Sequence, residues 1–119
     1  HPGCQNLFYK AIDGKIEIII SPLSVSKIWS SQDFDRKSEI GYLSLLEFMT
    51  VSPIDVETAT KTGHTLRENS TNINIDLEAA NIVSICNISG HPLVTTKPEL
   101  YDELFDGAIN CEEAVNKLN

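Results

Sequence analysis

The residues best suited to chemistry cluster around "HPLVTTKPEL", residues 91–100. The apolar run Pro92-Leu93-Val94 reads as a short strand. Pro98-Glu99-Leu100-Tyr101 reads as the opening of a helix. The point where a strand runs into a helix is where open α/β folds bind ligands. Thr95 offers a hydroxyl there, and Lys97 offers an ammonium suited to an anion. A second set lies upstream. Glu78, Asn81, Ser84 and Asn87 recur every three residues through an otherwise apolar stretch. That pattern puts one narrow polar edge on a largely buried helix. Glu78 and Asn81 are either a polar site facing a cleft or an edge hydrogen-bonded to a neighbouring loop. Asp76 stands where a helix cap belongs, which explains it better than a ligand role does.

Other polar residues carry less. His64 and His91 have no partner at metal or nucleophile spacing. Ser24, Ser26 and Ser30 show no nucleophile elbow. Asn69-Ser70-Thr71 and Asn87-Ile88-Ser89 match glycosylation acceptors, but nothing else in the chain points to secretion. Cys4, Cys86 and Cys111 are far apart and form no CxxC pair. They read as reduced, partly buried thiols, not as a zinc site or a disulfide framework, and that suits a cytoplasmic protein.

The whole composition fits one soluble globular domain spanning 1–119, with 41% hydrophobic and 22% charged residues. A formal net charge of −8 argues against broad, non-specific nucleic-acid binding, while leaving room for a local basic pocket. No apolar run is long enough to cross a bilayer, so no membrane partner is expected. The chain starts at His1 rather than Met, as a tag remnant, a processing product or an internal piece of a longer chain would.

The elements that must position these residues alternate along the chain. A first helix ends in the turn Asp13-Gly14-Lys15. "IEIIIS" comes next, reading as a strand buried on both faces. Ser21-Pro22 starts a helix to about Ser31 that carries Lys27. Asp35 or Ser38 begins another, with Tyr42, Leu43, Leu45, Leu46 and Met49 as its stripe. "TVSPID" gives a short strand and a cap at Asp55, before a polar, exposed helix with a soft spot at Gly63. Leu77–Ser89 is the most apolar helix, and Gly90 ends it. A helix from Pro98 to about Phe105, a short extended "AIN" and a last helix with capping-box spacing at Asn110 and Glu113 complete the chain. Alternating helices and short buried strands indicate an α/β fold with a parallel sheet.

With these elements in place, three stretches resemble the PIN domain, the fold of VapC-type toxin ribonucleases of bacteria and archaea. They are "FYKAIDGKIEIIISPLSVSKIW" (8–29), "LEAANIVSICNISGHPLVTTKPEL" (77–100) and "LFDGAINCEEAVNKL" (104–118). The resemblance implies a three-layer fold, a short parallel sheet flanked by helices, with carboxylates at the strand ends holding Mg²⁺ or Mn²⁺. Such metals activate water and stabilise the leaving oxygen in phosphodiester cleavage.

The acidic positions of that family do not carry over. The first belongs to a central N-terminal strand that this sequence lacks. The second falls on Lys27, the third on Ala79 and the fourth on Lys97. Thr95 is retained. A one-residue slip would offer Glu78, but turned about 100° around its helix. A slip at the last position would offer Glu99, which Pro98 holds in the first helical turn. An ammonium in a ligand position repels Mg²⁺. Lys27 and Lys97 together make either a small cationic site for a phosphate or carboxylate, or two solvated surface lysines.

The expectation is therefore a degenerate PIN-like domain, with no catalytic residues, no metal and no cofactor, that works as a binding or assembly module. Its candidate binding residues are Lys27, Glu78, Asn81, Thr95 and Lys97. Its expected partners are a second copy, through the helical hairpin around Tyr42 and Leu46, or an antitoxin-like protein. Core packing explains the same stripe equally well. The alternative is a Mg²⁺-dependent VapC-type endoribonuclease in which Asp76, Glu78 or Glu99 reposition. Without the first strand the sheet would have an interior gap, so either the chain is a fragment, or another chain or segment fills the gap, or the strands rearrange.

Overall fold

The helices start where short polar side chains satisfy free backbone N–H groups. Ser21 accepts from the Leu23 N–H at 3.1 Å, and Pro22, with no N–H to satisfy, takes the first turn. Asp35, Asp55 and Asp76 each accept from the N–H three residues on, at 2.7–2.8 Å. Asn110 and Glu113 form the reciprocal capping box. Gly90 closes its helix in the left-handed conformation at φ 75°, which a Cβ would disfavour.

The structure, a computed structural model, describes residues 2–118. His1, on which the reading of the chain's start rests, lies outside them. In chain order the elements are α1 (Pro2–Ile12), β1 (Ile18–Ile20), α2 (Pro22–Trp29), α3 (Arg36–Leu46), β2 (Met49–Val51), α4 (Val56–Glu68), α5 (Leu77–Ser89), a 3-10 turn (Pro98–Tyr101) and α6 (Cys111–Leu118). This is a mixed helix-and-strand architecture with parallel pairing. Among the described residues, no helix is long and apolar enough to cross a membrane.

β1 and β2 pair in parallel, with Ile18 beside Met49, Ile19 beside Thr50 and Ile20 beside Val51. A second parallel contact joins Val94 to Ile109. There the Ile109 N–H donates to the Leu93 carbonyl and the Thr95 N–H to the Ile109 carbonyl, both at 2.9 Å. Among the described residues no ladder links the two pairs.

Several expectations change. The strand expected over "IEIIIS" is confined to Ile18–Ile20, and its residues are half-buried. A two-stranded sheet gives helices too little surface to cover both faces. The helix expected to run to Phe105 is one 3-10 turn and then loose turns. Lys97 gives it no side-chain cap, so its first N–H groups lack the help that Ser21 or Asp55 provides. α4 is not wholly exposed, because Thr58 and Thr62 are buried where it packs along α5. Of the stripe expected on α3, Tyr42 and Leu43 are exposed, Leu45 and Leu46 half-buried, and Met49 belongs to β2. Tyr42 instead joins Trp29 and Phe34 in a partly exposed aromatic cluster, with ring centroids 4.9–6.4 Å apart.

The core has two parts. One gathers Ile75, Ala79, Ala80, Val83, Cys86, Leu93 and Tyr101 around α5. The other gathers Leu7, Ile109, Cys111 and Ala114 where α1 meets α6, with Ile16 and Ile18 against it. The cysteines correct the sequence reading. Cys4 and Cys111, 107 residues apart, form a disulfide with a Cα–Cα distance of 5.0 Å. No local spacing signals this pair. The packing of the first helix on the last brings it together. Cys86 is free and buried, as expected.

Candidate functional site

α2 and α5 meet with opposite charges at their ends. Lys27 lies in the last turn of α2, where a cation suits the negative end of the helix dipole. Asp76 caps α5 and Glu78 lies in its first turn, where anions suit the positive end. Lys27 Nζ donates to Glu78 Oε1 at 3.0 Å and lies 3.5 Å from Asp76 Oδ2. Glu78 is the most enclosed member, with its side chain 22% exposed against 63% for Lys27. The hydrogen bond to Glu78, then the charges of Glu78 and Asp76, raise the Lys27 pKa above its ordinary value. Tyr101 is raised as well, first by burial and then by the same two carboxylates.

Beneath this ion pair lies a buried polar chain. Asn81 is on the same face of α5 as Glu78, one turn further on. It is fully buried, with no exposed area. The Ser21 hydroxyl donates to Asn81 Oδ1 at 2.5 Å. Asn81 Nδ2 donates to Thr62 Oγ1 at 3.2 Å, and the Thr62 hydroxyl donates to the Thr58 carbonyl at 2.7 Å. Three helices are thus tied together: the cap of α2, the centre of α5 and the inner face of α4. Among the described residues no buried side-chain N or O atom lacks a partner.

Of the residues singled out in the sequence, Lys27, Glu78 and Asp76 come together, with Asn81 below them. Their partners differ from those expected. Glu78 meets a lysine, and Asn81 meets a helix cap and a buried threonine instead of a loop. Ala79 is buried in the core and has nothing to offer a ligand. Thr95 serves its own turn, where its Oγ1 accepts from the Lys97 N–H at 3.2 Å. Lys97 and Glu99 are exposed beside it, and among the described residues neither forms an ion pair. Lys27 is committed to carboxylates, so it is not a free cation for an anionic ligand. The partnership of Asn81 with Ser21 and Thr62 is not signalled by local spacing. The available signal is an amide set among Ala79, Ala80 and Val83, which has to find polar partners if it is buried.

These residues do not fit a divalent cation. Such an ion needs several oxygen ligands, and here an ammonium sits between the two nearest carboxylates. Asp76 also spends Oδ1 on the Ala79 N–H. Among the described residues, no group of three or more His, Cys, Asp and Glu side chains is placed to hold a metal ion. Among the described residues the polar partners of His64 lie on its own helix, with Nε2 2.9 Å from Glu68 and Nδ1 2.9 Å from Arg67.

No protein-family model, curated protein or solved structure matches this chain.

Proposed function

We propose that the chain is a degenerate PIN-like domain that acts by binding or assembly and does not cleave RNA with a metal. The observation that carries this reading is the Lys27 ammonium held between Glu78 and Asp76. In the resemblance, Lys27 and Lys97 stand where ligand carboxylates belong, and the buried Ala79 takes a third such position. A cation fixed by two carboxylates neutralises the charge that would attract Mg²⁺ or Mn²⁺.

The two parallel pairs support assembly. Among the described residues no ladder joins the two pairs, and the proposed partner would add a strand to one of them. A second copy or an antitoxin-like protein is the partner expected to supply it. The cytoplasm stays the proposed compartment, but the Cys4–Cys111 disulfide removes the reduced-thiol ground for it. Disulfides persist in oxidising compartments, so a cytoplasmic Cys4–Cys111 pair would spend time reduced.

A second reading has one observation in its favour: Asp76 and Glu78 already converge on a single cation. A VapC-type endoribonuclease would result if Mg²⁺ displaced Lys27 and drew Glu99 in. Incubation of the purified chain with structured and single-stranded RNA, with Mg²⁺ or Mn²⁺ and with EDTA, separates the two. The degenerate reading expects no metal-dependent cleavage. Cleavage abolished by EDTA and by Glu78→Gln would replace it with the nuclease reading.

A further inference from the structure

We propose that the Cys4–Cys111 disulfide is a redox latch that clamps α1 onto α6, so that its reduction releases α1 while the rest of the domain stays folded. The bond joins a half-buried Cys4 near the start of α1 to a buried Cys111 at the start of α6, 107 residues away. Apart from this link, α1 is weakly held. Among its described side chains only Leu7 and Ala11 are buried, while Tyr9 is 61% exposed and Ile12 43%. Its main helical neighbour is α6, itself only eight residues long. α1 also has no acidic residue in its first turn to favour its N-terminus. A helix of 11 residues is marginal in water without tertiary support.

The remainder has its own support. The cluster around Ala80, Val83 and Leu93 contains no residue of α1 or α6. Losing α1 would therefore leave the packing of α4 on α5 in place. It would uncover Ile18 of β1 and Ile109 of the second parallel pair, both of which lie in the cluster that α1 covers. The latch thus hides apolar surface from each pair and exposes it on opening.

The third cysteine does not interfere. Cys86 belongs to the other cluster, and burial pushes its thiol up to about 11. Little thiolate is present near neutral pH to attack the disulfide. The redox step needs a dithiol reductant. The S–S bond accepts two electrons and two protons and becomes two thiols, while the dithiol closes into its own disulfide.

Hydrogen exchange of the full chain, measured with and without dithiothreitol, tests the latch. Thiols are counted in denaturant in parallel. The air-oxidised protein should show one free thiol and the reduced protein three. On reduction, exchange over α1 should rise about tenfold or more while α4 and α5 keep their protection. Removing the reductant and reoxidising should restore the first pattern. Cys4→Ser combined with Cys111→Ser should give the reduced pattern without reductant. Three free thiols in the oxidised chain would overturn the proposal. So would unchanged exchange over α1. A simultaneous loss of protection over α1 and α5 would also overturn it, because the bond would then be a staple for the whole fold.

Discussion

Replacing Asn81 by alanine should remove the joint between α2, α4 and α5. The side chain is fully buried and makes two hydrogen bonds, accepting from Ser21 and donating to Thr62. Its loss strands the two partners unequally. Thr62 keeps its bond to the Thr58 carbonyl and loses only a donor to its oxygen. The Ser21 hydroxyl loses its acceptor while its oxygen still holds the Leu23 N–H. A stranded buried donor costs about 1–3 kcal/mol. The space left by the amide adds to that, since surrounding structure relaxes only in part. Together these give a loss of about 3 kcal/mol, a large share of the roughly 5–15 kcal/mol typical of a domain. Asn81→Leu should not rescue it, because a similar volume without polar atoms leaves the same partners unmatched. Urea denaturation of wild type, Ser21→Ala, Asn81→Ala and the double variant measures the effect. The double variant should lose less than the sum of the singles, by about 1 kcal/mol or more. A cost for Asn81→Ala below about 0.5 kcal/mol, or strict additivity with Ser21→Ala, would refute the joint.

Three further expectations concern the helix ends. Because the folded state raises the Lys27 pKa, the stability gained from its ion pair is full below the unfolded value of 10.5 and is lost as pH rises through the folded one. The pair is exposed, so Lys27→Met should cost no more than about 1 kcal/mol at pH 7, and less in high salt. Urea midpoints of wild type and variant should converge in strong alkali, and a difference that persists there counts against the pairing. The Asp55 carboxyl is lowered from 3.8, chiefly by the Thr58 backbone N–H, so its contribution is present above the unfolded value and lost as pH falls through the folded one. Asp55→Asn should flatten the acid limb of the stability curve, and an unchanged limb would remove the charged cap from the account. Gly90→Ala places a Cβ at φ 75° and should destabilise by about 1 kcal/mol. Unchanged thermal stability would show that the helix end adapts.

The sequence discloses mostly local structure. Ser21, Asp55, Asp76, Gly90 and the Asn110–Glu113 pair act within a few residues of themselves, and all take the helix-end roles their types suggest. The polar edge of α5 is also legible, since three-residue spacing places Glu78 and Asn81 on one face. Long-range pairing is not. Ser21 and Asn81 are 60 residues apart, and Cys4 and Cys111 are 107 apart. Nothing in either neighbourhood encodes the other. Isoleucine runs also mislead about burial. "IEIII" has the composition of a strand covered on both faces, but burial depends on how many strands stand beside it. Lys97 does precede a helical turn, and its side chain leaves that turn uncapped. The turn is shorter than the apolar residues of its segment suggest, because Leu100, Tyr101 and Leu104 pack inward without a continuous helix.

The claim that Lys27 occupies the place of a metal is tested most directly by Mn²⁺ binding. Electron paramagnetic resonance reports free Mn²⁺ as protein is added. The account predicts that the free signal stays undiminished for the wild-type chain at Mn²⁺ on the order of 1 mM, so that any dissociation constant lies above that. Stoichiometric loss of the signal, reversed by Glu78→Gln, would contradict it.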